Sequence, residues 1–334
     1  MAFRRTITRR VLIRNGAALA SLAATPSFAQ SSAPANWPDR AVRIIVPYPA
    51  GGSTDVLMRL YGEQFATRFG QPFVIENRPG AGGNTGIDAV SKSAPDGYTL
   101  GAATIGHFAI NQFLYAKMPY DPERDIVPVS LTYEMPNVAV VSSQHVPAKT
   151  LAEFIAWAKT RDQVTYGSPG VGTSPHLSGA LLANRTAMKA VHVPFRGAAQ
   201  TIPAMLSGDV HFAIDNLASY ISLIESGQMR ALAITSSKRW PTLPNVPTMA
   251  EAGMPDFVVT SWAAIVVPNG TPRAVIDKLA AAIRDIAADP AMNARCLAAG
   301  AKVLSSSPED AKAFADKERA MWKNVVAISG AKVE

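Results

Sequence analysis

Cysteine is almost missing from this chain: Cys296 is the single one among 334 residues. No internal disulfide can form, and no cysteine pair is available for zinc. Cys296 falls in the apolar helical stretch Arg295-Cys296-Leu297-Ala298-Ala299, where a small buried thiol is expected. Histidine is also sparse. His107, His145, His176, His192 and His211 are too widely spaced for a local metal motif, and His192 and His211 alternate with apolar residues as structural histidines do. The motifs G-x-S-x-G, H-E-x-x-H and G-x-x-x-x-G-K-[ST] are lacking. Gly80, Gly82 and Gly86 miss the dinucleotide fingerprint by one residue, so neither flavin nor nicotinamide is expected, and no cofactor or metal is assigned. Beyond the N-terminus no run reaches about 18 apolar residues, which leads us to expect a soluble mature protein.

Charge of one sign is concentrated in one place. Arg4, Arg5, Arg9, Arg10 and Arg14 stand without an acid among them, ahead of the small and apolar run Gly16-Ala17-Ala18-Leu19-Ala20-Ser21-Leu22-Ala23-Ala24. This is the pattern of an export signal over residues 1–29. Thr8-Arg9-Arg10-Val11-Leu12-Ile13 has the form of a twin-arginine address, and Ser27-Phe28-Ala29 offers a cleavage site that would start the mature chain near Gln30, in the periplasm. The whole chain carries +7, from 32 basic and 25 acidic residues; without the five leader arginines the balance is 27 to 25. No block of five like charges remains, so a nucleic-acid partner is not implied.

The remaining residues, about 305, suggest two domains. Short β-branched runs alternate with helical patterns, which argues for α/β layers with largely parallel sheets. The first series holds strands at Arg43-Ile44-Ile45-Val46, Phe73-Val74-Ile75-Glu76 and Tyr98 to Ala103. Between the first two, Leu57, Leu60, Tyr61, Phe65 and Phe69 mark one helix face. A second series runs from Asn137-Val138-Ala139-Val140-Val141 through Val164, Val191 and Val210-His211-Phe212-Ala213-Ile214 to Leu232-Ala233-Ile234-Thr235. Another strand, Ala263 to Val267, precedes C-terminal helices. Thr271-Pro272 and Ser307-Pro308 each put a capping hydroxyl before a first-turn proline, with Asp310 completing a near capping box on Ser307.

One pattern occurs twice. Tyr48-Pro49-Ala50-Gly51-Gly52-Ser53-Thr54-Asp55 and Ser168-Pro169-Gly170-Val171-Gly172-Thr173-Ser174-Pro175-His176 both lead from a strand through a Pro/Gly loop and a hydroxyl pair into a helix. A helix start leaves about four amides unpaired and carries roughly half a positive charge, so glycines there let an anion approach bare N–H groups. Two such starts facing one cleft would hold a carboxylate without arginine or lysine. Taken singly, Ser53 and Ser174 read equally as ordinary N-caps, and Asp55 reads as a capping charge. Asp215-Asn216, after the strand ending at Ile214, is either a turn-forming pair or a polar group pointing into a ligand crevice. Thr104 and His107 follow their strand in the same manner.

At these residues the chain resembles the Bug family, the extracytoplasmic solute-binding proteins of tripartite tricarboxylate transporters. The resemblance runs from about Trp37 to the C-terminus. It rests on the stretch 43–55, on Glu76-Asn77-Arg78-Pro79-Gly80-Ala81-Gly82-Gly83-Asn84, on Ala94-Pro95-Asp96-Gly97-Tyr98-Thr99-Leu100, on His192-Val193-Pro194-Phe195-Arg196-Gly197 and on Pro247-Thr248-Met249-Ala250-Glu251-Ala252-Gly253. It implies a two-lobed periplasmic-binding-protein (Venus-flytrap) fold, each lobe a mostly parallel sheet flanked by helices. Residues 37–137 plus 261–334 would form one lobe and 138–260 the other. It also implies carboxylate contacts from Tyr48, Gly51, Gly52 and Ser53 and from Gly172, Thr173, Ser174 and His176, with Asp215 toward the ligand's far end. The expected function is capture of a small carboxylate, such as a di- or tricarboxylate, an aromatic acid or an acidic amino acid, by a monomer that serves a membrane permease. The competing readings are a secreted hydrolase built on Ser174, His176 and Asp215, and a ligand-sensing partner of a signalling receptor.

Overall fold

The structure, a computed structural model, describes residues 36–329 and residue 331. The expected export signal and its cleavage point near Gln30 lie outside them. In chain order the elements are β1 (Val42–Val46), α1 (Ser53–Phe69), β2 (Phe73–Asn77), α2 (Asn84–Ser91), β3 (Thr99–Thr104), α3 (Asn111–Leu114) and β4 (Ile126–Ser142). They continue with α4 (Leu151–Lys159), β5 (Val164–Ser168), α5 (Ser174–Thr186), β6 (Ala190–Pro194), α6 (Ala198–Leu206), β7 (Phe212–Asn216), α7 (Ile221–Glu225) and β8 (Met229–Ile234). After a long loop come β9 (Thr260–Pro268), α8 (Arg273–Ala288), α9 (Pro290–Ala298), β10 (Lys302–Val303) and α10 (Pro308–Ser329).

The molecule is two-lobed, and β4 belongs to both lobes. Its first part pairs antiparallel with β9, from Ile126↔Pro268 to Pro136↔Thr260, and with β10. From Asn137 onward it pairs antiparallel with β7 and β8 instead. In the first lobe β1 pairs in parallel with β2 and β3, and β9 is inserted antiparallel between β3 and β4. In the second, β5 to β8 run one way and β4 runs against them. Each sheet therefore has most strands in one direction, with an opposed strand threaded through it.

At Asn137 the two sheets are tied together by hydrogen bonds. The amide of Asn137 donates to Thr235 Oγ1 at 2.8 Å, the amide of Thr235 donates to Asn137 O at 2.9 Å, and Val259 N donates to Thr235 O at 3.1 Å. Both crossings between lobes thus meet at one place. The strand expected at Asn137 to Val141 is the second part of this longer one. Its first part escaped sequence reading because Pro128 and Pro136 interrupt the pattern, and β-bulges shift the register at Pro128/Ser130 and Leu131/Tyr133.

Apolar periodicity placed the core correctly. Leu57, Tyr61 and Phe65 of α1 are fully buried with Val42, Ile44 and Val46 of β1 and with Leu279 and Ile283 of α8. Another cluster joins Phe108, Trp262 and Trp322 to Phe154, Tyr166, Leu177 and Phe212, so one apolar seam runs through both lobes. Trp262 stacks on Phe108 at 5.5 Å and meets Phe314 of α10 edge-on at 5.1 Å. Ser307 caps α10 as expected, its Oγ accepting from Asp310 N at 3.0 Å. Thr271 does not cap α8: its hydroxyl donates to Pro268 O at 2.8 Å, and the helix starts at Arg273. Cys296 is buried on α9, and burial pushes its thiol up to about 11.

Candidate functional site

Both repeated loops end at helix starts that face one cavity. The cavity's wall includes Tyr48, Gly52, Ser53, Thr104, Thr173, Ser174 and Asp215. Neither serine is an N-cap. Gly52 precedes α1 without a side-chain cap, while Thr173 caps α5 by accepting from His176 N at 3.4 Å. Ser53 Oγ instead lies 2.7 Å from Ser219 Oγ of the other lobe. Ser174 Oγ is buried with no hydrogen-bond partner among the described residues. The amides of Ser53, Thr54 and Asp55 likewise donate to no acceptor among the described residues, as expected of a first turn. Among the described residues no arginine or lysine lines this cavity.

Asp55 is kept out of the site's charge balance. Burial would raise its carboxyl, but Arg59, Gly51 N and Asn77 hydrogen-bond to it and bring it below the usual range. Its charge is neutralised within α1's first turn.

Tyr48 donates to or accepts from Thr104 Oγ1 at 2.9 Å, and burial pushes its hydroxyl up to about 12, so it stays neutral. Behind them His107 is fully buried, its Nδ1 accepting from Thr104 N at 2.9 Å. Burial lowers it to about 4, so the ring is neutral and braces the wall. His176 is likewise set back. Its ring stacks on His192 at 4.1 Å, its Nδ1 accepts from Gly172 N at 3.4 Å, and burial lowers it to about 4. His192 in turn meets Ser168 Oγ at 2.7 Å. Gly51 and Gly172 shape their loops at φ +81° and +84° without forming cavity wall. The structure therefore brings seven of the eleven expected residues onto one surface and sets Gly51, His107, Gly172 and His176 behind it.

Asp215 lies on the cavity wall as a fully buried carboxyl. Its Oδ1 accepts from Asn216 N at 2.7 Å and its Oδ2 from Tyr220 OH at 3.1 Å, so the turn-forming and the crevice-facing readings hold together. Burial raises it to about 7 against the lowering effect of these two bonds. Asn216 Oδ1 beside it has no partner among the described residues.

Several wall residues escaped the sequence reading. Gly197, Ala198 and Ala199 open α6, Ser219 follows β7, and Ser261 belongs to β9. Gly197 at φ +117° was the available signal, since it ends the His192 to Gly197 motif just before a helix. Its Cα hydrogens occupy the space where a Cβ would come within 3.2 Å of Pro49 Cγ across the seam.

The chain is similar in sequence and fold to known proteins. The sequence model of the family described as "Tripartite tricarboxylate transporter family receptor" matches residues 57–330. Protein BugT of Bordetella pertussis is 36% identical over 93% of this chain and 96% of its own length. Among solved structures, an R. palustris protein with adipate superposes with a TM-score of 0.87 at 35% identity, covering 89% of this chain and 100% of that one. The periplasmic binding protein BugD gives 0.84 at 30% identity, over 89% and 100%.

Proposed function

The chain belongs to the receptor family of the tripartite tricarboxylate transporters, and from that premise we propose that it is a periplasmic protein that closes around a small carboxylate and delivers it to the transporter's permease. The observation that carries the reading is the pair of helix starts, α1 from one lobe and α5 from the other, on one cavity wall that holds no cation. Bare amides, the Ser53 and Ser174 hydroxyls and the Tyr48–Thr104 pair are donors suited to a single carboxylate. The adipate in the R. palustris relative is such a ligand.

In this reading Tyr48, Gly52, Ser53, Thr104, Thr173, Ser174 and Asp215 touch the ligand, while Gly51, Gly172, His107 and His176 hold those groups in place. The lobes comprise 37–137 plus 261–334 and 138–260, turning about the hydrogen-bonded crossing at Asn137 and Thr235. Ligand contacts to both lobes stabilise the shut form, which sets the affinity. The hydrolase alternative needs a Ser174–His176–Asp215 relay. Ser174 Oγ has no partner, His176 Nδ1 faces Gly172 N, and Asp215 binds Asn216 and Tyr220, which favours a binding protein over an enzyme.

Thermal melting against a panel of carboxylates tests this. A ligand at about a hundredfold its Kd adds roughly 2.7 kcal/mol, which is several degrees for lobes of this size. Turnover of esters or peptides, with no acid raising the midpoint, would overturn it.

A further inference from the structure

A second cavity lies beside the first and shares Tyr48, Pro49 and Pro169 with it. The rest of its wall is Pro47 and the glycine-rich loop 79–83 from one lobe and Gly170, Phe195 and Arg196 from the other. Charge is segregated between the two. Among the described residues no cation lines the first wall, where Asp215 is the sole acid and is pushed by burial toward its neutral form, and Arg196 is the only charged side chain on the second. The Arg196 amide is anchored to Gln200 Oε1 at 3.0 Å, whereas its guanidinium makes no hydrogen bond or ion pair among the described residues. No acid on that wall competes for it.

A ligand with two carboxylates meets different fields in the two compartments. With one end at the helix starts, a second carboxylate kept in the first cavity meets no cation among the described residues, whereas one placed in the second meets the Arg196 guanidinium. The residues common to both walls are Tyr48 and two prolines, an apolar surface suited to the stem that joins the two ends. We propose that the second cavity is a subsite for the distal carboxylate of an elongated diacid, with Arg196 as the residue that selects it. This rests on the carboxylate-binding reading given above and narrows it to a substrate class.

Titration of linear diacids of increasing length, each beside the monoacid of equal length, tests the subsite in the wild type and in Arg196→Gln. Arg196 is exposed, so the substitution leaves the fold intact. The long diacids are expected to bind wild type about fivefold or more tighter than their monoacid counterparts, by an amount that shrinks with added salt. Arg196→Gln is expected to abolish that preference while leaving monoacid affinity within about twofold. Equal loss for both series, or no loss for either, would overturn the subsite while the carboxylate reading stands. Failure of every acid to bind wild type would remove that reading and the subsite with it.

Discussion

Asp215 carries a proton over much of the neutral range because burial lifts its carboxyl to about 7. The unfolded chain gives up this proton near pH 4, so the carboxyl's contribution to stability is complete below about pH 4 and is lost as the pH rises to 7. Asp215→Asn keeps the bond from Asn216 N and removes the ionisable group. The variant is therefore expected to melt higher than wild type at pH 8, by on the order of 4 kcal/mol at most, with the gap closing at pH 4. Melting curves at the two pH values check this; a gap that does not change with pH would mean the carboxyl is not held protonated. Asp215 was legible in the sequence because it ends a strand. Its partner Tyr220 was not, since the bond depends on a turn at Leu217 to Ser219 that no motif announces. His107 and His176 were expected to contact the ligand, but packing places both behind the cavity wall.

Among the elements, the two helix starts were readable and their capping was not. Hydroxyl pairs at Ser53–Thr54 and Thr173–Ser174 mark the boundaries within a residue, yet Gly52 and Thr173 take the cap positions and free the two serines for the cavity. The start of α6 went unread because Gly197 offers neither hydroxyl nor acid. Gly197→Ala is expected to cost about 1–3 kcal/mol from its φ of +117° and to lower carboxylate affinity more than that strain explains, since the added Cβ meets Pro49 of the opposite lobe at 3.2 Å. Comparing the unliganded midpoint with the Kd separates the two effects. Unchanged affinity would mean that the Gly197–Pro49 contact has no part in closure.

For the whole molecule, four histidines shape the response to acid, among them His211, which burial and the nearby Arg161 lower. Burial lowers His107 and His176 to about 4 and, with His176 as a neighbour, His192 to about 3. The unfolded chain takes up these protons near pH 6.5, so stability present above that pH is lost as the pH falls toward 4. Asp215 works in the opposite direction over the same interval, but as one group against four. The midpoint is therefore expected to fall steadily from pH 6.5 to 4; a midpoint flat over that range would show the rings to be solvated. The two-domain organisation was visible in the sequence as two strand series, whereas the strand common to both was hidden by its prolines and bulges.

Strand order also dictates a sequence of events during synthesis. The inner neighbour of β3 is β9, which begins only at Thr260, whereas β5 to β8 and the stretch of β4 they flank are all made by Ile234. A newly made chain can thus finish its inserted half while the opening three strands still wait with an open flank, a vulnerable interval in which that flank can pair with the wrong chain. The last strands and helices to emerge close it, so truncation near the C-terminus would injure the half that was begun first.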